Sequence, residues 1–482
     1  MNVKFLAKFI SILCVTLSYA DVRLPSVISD NMVLQQNSEV NIWGWAKPKE
    51  KIYLKASWQQ VFGKSVRADN NGNWKITLRT PKAGGPHKIT IKAGNTVNLE
   101  NILTGEVWIA SGQSNMEMPL KPVSKAYTGV SNFEEEIANA DYPEIRLFQV
   151  GNYASIEPLD EVEPGIEVYN IPKAECKWQQ CSPKTVANFS STAYFFARKL
   201  HKELGVPVGI IDSSWGGTMA ESWTPAEGLE KLGYHEQLKH YALTPQNPDQ
   251  KNIPIRLYNG MIHPLRNLTI KGVVWYQGES NISQSDKYCR LFSTMIEQWR
   301  GAFGQDFPFY FVQISPFNYD ANQNSAFLRE AQLKTMISVP KTGMAVTMDI
   351  GNLTDIHPKN KQEVGRRLGL WALANDYGRT ELVFSGPIYK SMQVEKNTIR
   401  LWFNHIGSGL IARDGELTNF TIAGNDKVFV DATAKIENDT VVVFSEKVLN
   451  PVAVRFAFSN TAMPNLFNKE GLPASPFRSD DW

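Results

Sequence analysis

Between residues 104 and 378, short runs of uninterrupted apolar residues alternate with segments of helical period. The runs are Val107-Trp108-Ile109-Ala110, Val208-Gly209-Ile210-Ile211, Val273-Val274-Trp275-Tyr276, Phe309-Tyr310-Phe311-Val312 and Met344-Ala345-Val346-Thr347. A strand with one wet face would alternate polar with apolar. A strand without alternation is buried on both sides, and strands of that kind separated by helices make a parallel sheet covered on both faces. The intervening pattern predicts helices over 190–204, 288–303, 327–337 and 359–375. In the last, Val364, Leu368, Trp371 and Leu373 approximate one apolar stripe.

The flanks read differently. Residues 21–103 alternate in the manner of exposed sheet, as in Val40-Asn41-Ile42-Trp43-Gly44-Trp45 and Lys88-Ile89-Thr90-Ile91-Lys92. Turn clusters such as Asp69-Asn70-Asn71-Gly72-Asn73 separate such runs. A small β-sandwich is expected there. After Gly378 the β texture returns, with Ile399-Arg400-Leu401-Trp402-Phe403 and the run 440–444. The expected organisation is therefore a leader over 1–20, a β-sandwich over 21–103, an α/β domain over 104–378 and a second β domain over 379–482. At 482 residues the chain has room for about three domains.

Lys+Arg number 50 against Asp+Glu 48, with no polybasic tract. Such a chain lacks the cationic surface that binds nucleic acid or lies on a lipid surface. Residues 1–20 carry Lys4 and Lys8, then the apolar run 9–17, then Ser18-Tyr19-Ala20. This reads as a cleavable export signal, since the apolar run is far short of the ~20 residues a membrane span needs. A secreted or periplasmic protein, bacterial in origin and without a membrane anchor, is expected. Cys176 and Cys181 are near enough to form a disulfide in an oxidising compartment, or to remain two free thiols. No His/Cys cluster supplies the four ligands of a structural zinc. The sequons at Asn188, Asn267, Asn281, Asn352, Asn419 and Asn438 are read as unused.

Ligands of an open parallel sheet bind where its strands end, and four of those loops carry reactive or hydrogen-bonding groups. Gly112-Gln113-Ser114-Asn115-Met116 offers a serine at a strand end, whose hydroxyl can attack while its own N–H faces a developing oxyanion. The paired glycines of Ser213-Ser214-Trp215-Gly216-Gly217-Thr218 let backbone N–H groups approach a substrate oxygen. In Tyr276-Gln277-Gly278-Glu279-Ser280-Asn281, Gln277 or Asn281 can donate to the same oxyanion, while Glu279 can fix a neighbouring donor or bind a sugar hydroxyl. Asp355-Ile356-His357-Pro358 supplies a histidine beside an acid. The imidazole needs a carboxylate on Nδ1 to accept a proton at Nε2; Asp355 is the nearest candidate and Asp349 the second. Gln113, Glu279 and Asn281 are candidate substrate contacts.

The ordered set GQSNM, WGGT, WYQGES and DIHP resembles the sialate O-acetylesterase family of SGNH-type hydrolases. The resemblance extends into residues 190–204, 257–265 and 469–478. It implies a flavodoxin-like three-layer α/β/α core flanked by β domains, Ser114 as nucleophile, His357 as general base, and no cofactor or metal. It further implies an oxyanion site made by the N–H groups of Ser114 and Gly217 with the side chain of Gln277. Two departures stand out: Gln277 precedes Gly278 where the superfamily offers Gly-x-Asn, and Asp355 lies two residues before His357 rather than three. The expected substrate is O-acetylated sialic acid at the 9-position or another acetylated carbohydrate. Acetyl-xylan or another hemicellulose is the rival, and a non-catalytic sugar-binding protein on an esterase scaffold, or more remotely a serine peptidase, would be a different class of function.

Overall fold

A computed structural model describes residues 21–60, 62–320 and 322–482. The proposed export signal, Met1 to Ala20, lies outside the described residues.

The apolar runs do form a parallel sheet. Its strands are β1 (Thr96–Gly112), β2 (Tyr142–Gln149), β3 (Val208–Ser214), β4 (Gly272–Tyr276), β5 (Phe309–Val312) and β6 (Thr342–Ala345). They lie in the order β6-β5-β4-β1-β3-β2, all neighbours parallel, with Gln179–Cys181 added antiparallel to β2. Successive residues of each strand feed two separate apolar clusters. Trp108, Ala110, Ile210, Val274 and Tyr310 pack with helices α1 (Ser191–Leu204) and α4 (Lys361–Asp376). Val107, Ile109, Ile211, Trp275 and Phe311 face α2 (Ser285–Phe303) and α3 (Ser325–Ser338). Aromatic edge contacts lock both layers, with Trp108 5.0 Å from Phe196 on one face and Phe311 4.9 Å from Phe292 on the other.

Three details depart from the pattern read in the sequence. Strand β2 has no apolar run, because Pro143, Glu144 and Arg146 break it. Arg146 is nevertheless buried, donating to the Pro143 carbonyl and to Asn31 and Asn101. Strand β6 begins two residues earlier than expected. Helix α4 is buried beyond one stripe, since Gly365, Leu370 and Ala372 are covered as well.

Segments 21–103 and 379–482 hold strands and no helix among the described residues. The first of these is continuous with the sheet, because β1 runs unbroken across residues 103 and 104. Its first half pairs antiparallel with Gly84–Lys92, its second half parallel with β3 and β4. The last segment is fastened to α3: Arg478 forms a two-pronged ion pair with Glu330, and Asn460 accepts from the Ser325 N–H at 2.7 Å. Cys176, Cys181 and Cys289 are free thiols, so the 176–181 bridge does not form. No helix among the described residues is long and apolar enough to cross a membrane.

Where β1 ends, Gly112 has φ +136° and its α-carbon faces β4: a Cβ there would sit 2.2 Å from the Tyr276 carbonyl oxygen. We expect Gly112→Ala to cost about 2 kcal/mol or more, since it combines backbone strain with a clash against backbone. A thermal melt that matches the wild type would contradict this.

Candidate active site

All four loops singled out in the sequence leave the carboxyl edge of the sheet, on which parallel strands place their C-terminal ends. The Gln113 N–H donates to the Tyr276 carbonyl at 2.9 Å, and the Trp215 N–H donates to the Gly112 carbonyl at 3.0 Å, which ties three of the strand ends together. Directly after β1 the chain makes a four-residue helix, Ser114–Glu117, with Ser114 partly exposed and the other three residues buried. The carbonyls of this helix are anchored by the start of α1. Hydroxyls of Ser190, Ser191 and Thr192 donate to the carbonyls of Met116, Met118 and Asn115 at 2.6, 2.7 and 3.0 Å.

Asn115 joins the serine loop to the histidine loop. Its Nδ2 donates to the Glu279 carboxylate at 2.6 Å and to the Ile356 carbonyl at 3.0 Å, while its Oδ1 accepts from the Lys361 ammonium. The residue after Ser114 is thus bonded to the residue before His357. His357 is 9% exposed, with Nδ1 3.8 Å from Asp355 Oδ1 and its ring edge-on to Tyr127 at 5.2 Å. Asp355 also accepts from the His357 N–H at 2.9 Å and from the Thr128 hydroxyl at 3.3 Å. Asp349, the second candidate partner, is taken by Arg367, which grips both of its oxygens at 2.7 Å. Burial, reinforced by the nearby Lys361 charge and opposed by Asp355, lowers the His357 pKa to about 4.

On the other side of Ser114 lies the glycine pair. A Cβ on Gly216 would stand 3.2 Å from the Ser114 Cβ, 2.4 Å from the Tyr127 hydroxyl and 2.8 Å from Glu117 Oε2, so only glycine fits. Its N–H donates to Glu117 at 2.8 Å; the same carboxylate accepts from Tyr127 at 2.5 Å and from Asn152 at 2.9 Å. Burial raises the Glu117 pKa, and that of its neighbour Asp212 to about 8. Gly217 is exposed with φ +72°, and neither its N–H nor that of Ser114 has a hydrogen-bond partner among the described residues.

The third loop behaves differently from the sequence expectation. Gln277 is fully buried: Nε2 donates to the Thr218 carbonyl at 3.1 Å and to Asn281 at 2.7 Å, and Oε1 accepts from the Tyr288 hydroxyl at 2.8 Å. Both of its amide hydrogens are thus occupied inside the protein. Asn281, 1% exposed, is likewise committed, accepting from the Ala220 N–H and donating to Glu221. Glu279 accepts from Asn115 Nδ2 through one oxygen; its other oxygen is buried without a partner. Gln113 bridges loops, its Oε1 accepting at 3.3 Å from the N–H groups of Gly278 and Ser280. Its Nε2 has no partner among the described residues.

The sequence reading missed Glu117, Tyr127, Asp212 and Lys361. Three of these carry a local signature. Asp212 places a carboxylate directly after the apolar run of its strand, Glu117 sits between two methionines, and Lys361 places a cation at the first residue of a helix, the end whose dipole disfavours it. Lys361 is wholly buried, its ammonium 5.1 Å over the Tyr276 ring, and burial lowers its pKa to about 7.

Residues 104–374 match the family of carbohydrate esterases described as sialic acid-specific acetylesterase. The mouse sialate O-acetylesterase is 32% identical over 429 residues, covering 77% of this chain and 76% of that protein. The human sialate O-acetylesterase is 32% identical over 409 residues, covering 77% and 74%. Among solved structures, a carbohydrate acetylesterase from Xanthomonas citri superposes with a TM-score of 0.85 at 37% identity, over 96% of this chain and all of that one. A match over more than half the chain, with relatives of this identity and coverage, fixes the class of chemistry: the protein belongs to the sialic acid-specific acetylesterase family of carbohydrate esterases and is a carboxylic-ester hydrolase.

Proposed function

We propose that the protein is an exported serine esterase that removes acetyl groups from a carbohydrate, with O-acetylated sialic acid as its substrate. The observation that carries this reading is the Asn115 bridge, which ties the loop of a partly exposed Ser114 to that of His357, beside a glycine pair with an unpartnered N–H.

In this reading the Ser114 hydroxyl attacks the acetyl carbonyl and His357 Nε2 takes the hydroxyl proton, with Asp355 on the Nδ1 side. Occupation of Asp349 by Arg367 supports Asp355 as the orienting acid. The tetrahedral oxyanion lies against the N–H groups of Ser114 and Gly217, and Gln113 Nε2 is the side-chain donor left free to join them. Collapse expels the sugar oxygen, which receives the proton from His357. Water, deprotonated by His357, then attacks the acetyl-Ser114 ester and releases acetate. No cofactor enters these steps.

The strand order supports a flavodoxin-like, three-layer SGNH core. With β2 set aside, the strands in chain order occupy positions 2-1-3-4-5, and Ser114 follows the first of them at the switch point between β1 and β4. The segments 21–103 and 379–482 are then accessory β domains around a catalytic 104–378, and residues 1–20 direct export to the periplasm or medium of a bacterium.

Acetate release from O-acetylated sialic acid tests the central reading, with Ser114→Ala as control. The variant should fold normally, lose turnover and no longer react with a fluorophosphonate; retained turnover would refute the nucleophile assignment. Release confined to acetylated xylan would keep the mechanism and change the substrate. The low pKa of His357 leaves the imidazole neutral, and so able to act as base, from about 4 upward. The acid limb of kcat/KM should therefore fall well below the ordinary histidine value of ~6.5. In Lys361→Met the limb should move to higher pH, because the cation that opposes protonation is gone. An unmoved limb in a folded Lys361→Met would show that Lys361 does not act on His357.

A further inference from the structure

Next to the glycine pair beside Ser114 stands a cation that the mechanism above does not use. Lys251 donates from Nζ to the Gly216 carbonyl at 2.6 Å, and a Cβ placed on the exposed Gly217 would lie 3.5 Å from the same nitrogen. An ammonium has three N–H donors; one is used here, and Lys251 makes no ion pair with a carboxylate among the described residues. Its next neighbour fastens the segment down. Asn252 Nδ2 donates to the Gly217 carbonyl at 2.9 Å, and its Oδ1 accepts from the Met219 N–H at 3.1 Å. Lys251 is thus a positioned charge rather than a swinging surface lysine, and little ordering entropy is left to lose on binding.

Two rings flank it. Nζ lies 5.8 Å from both the Trp215 ring, which is buried, and the Tyr169 ring, which is 41% exposed and stands edge-on to Tyr127 at 5.0 Å. The nearby carboxylate, Glu117, is buried on the opposite side of Gly216 and bonded to that residue's N–H, so it does not occupy the outer face of the ammonium. The mouth of the site therefore presents an available cation and an exposed aromatic wall, next to the serine. A neutral acetylated polysaccharide has no group to match that charge; a sugar acid has its carboxylate.

We propose that Lys251 is a substrate-specificity residue that receives the carboxylate of an acidic acetylated sugar, so that the enzyme prefers acetyl esters of sugar acids to neutral ones. This inference rests on the esterase reading of Ser114.

The test compares acetate release from 9-O-acetylated N-acetylneuraminic acid with release from its methyl ester, which removes the charge and adds one methyl group, for wild type, Lys251→Gln and Lys251→Arg. Wild type should favour the free acid by about tenfold in kcat/KM, carried by KM. The preference should shrink as salt is raised, fall to about unity in Lys251→Gln and persist in Lys251→Arg. Equal rates on acid and ester by wild type would overturn the proposal. So would a Lys251→Gln enzyme that loses activity on both by the same factor, since that would place the lysine in general oxyanion stabilisation. Failure of wild type to release acetate from 4-nitrophenyl acetate or either sugar would instead count against the esterase reading itself.

Discussion

Strand β1 is the constraint on which the molecule depends. Within its seventeen residues it pairs with four other strands, antiparallel with one in the amino-terminal segment and parallel with Val33–Gln35, β3 and β4. Its last residue is pressed against the Tyr276 backbone, and the next two place Ser114. A parallel strand held on both edges has no freedom to slip, because a shift of one residue would turn every buried side chain to the other layer. The serine inherits its position from that register.

Around this fixed point the protein buries an unusual number of ionisable groups: Glu117, Asp212, Glu279 and Lys361 all lie behind the cleft. Removing charges from water is costly unless partners replace the lost hydration. Glu117 has three such partners, and the Lys361–Asn115–Glu279 chain supplies them across two loops. What these networks provide is geometry. One holds Gly216 against Ser114 and the other holds the His357 loop against the Ser114 helix.

Much of this was legible in the sequence, for a physical reason: strands buried on both faces show as uninterrupted apolar runs, and loops at their ends show as small and polar residues. Thus the sheet, its covering helices and the neighbourhoods of Ser114, Gly217 and His357 could be read directly. Strand β2 was invisible because its buried arginine is satisfied by partners distant in sequence. Gln277 and Asn281 misled because an amide at a strand end looks the same whether it faces the cleft or another amide. Only the positions of Tyr288, Thr218 and Glu221 decide between these, and nothing local encodes them. Nothing near Asp349, the second candidate after Asp355, encodes that Arg367 in the next helix grips both of its oxygens.

The span of β1's pairings also bears on the order in which a growing chain acquires its reactive centre. The partner that clamps Gly112 is Tyr276, and the loop that Asn115 reaches is later still, at Ile356. A nascent chain can complete the amino-terminal hairpin of β1 early, yet Ser114 has neither its backbone clamp nor the His357 loop beside it until well over half of the polypeptide has been made. The neighbourhood of Ser114 is thus assembled late, from contacts of long sequence separation, on a strand whose other end is already anchored.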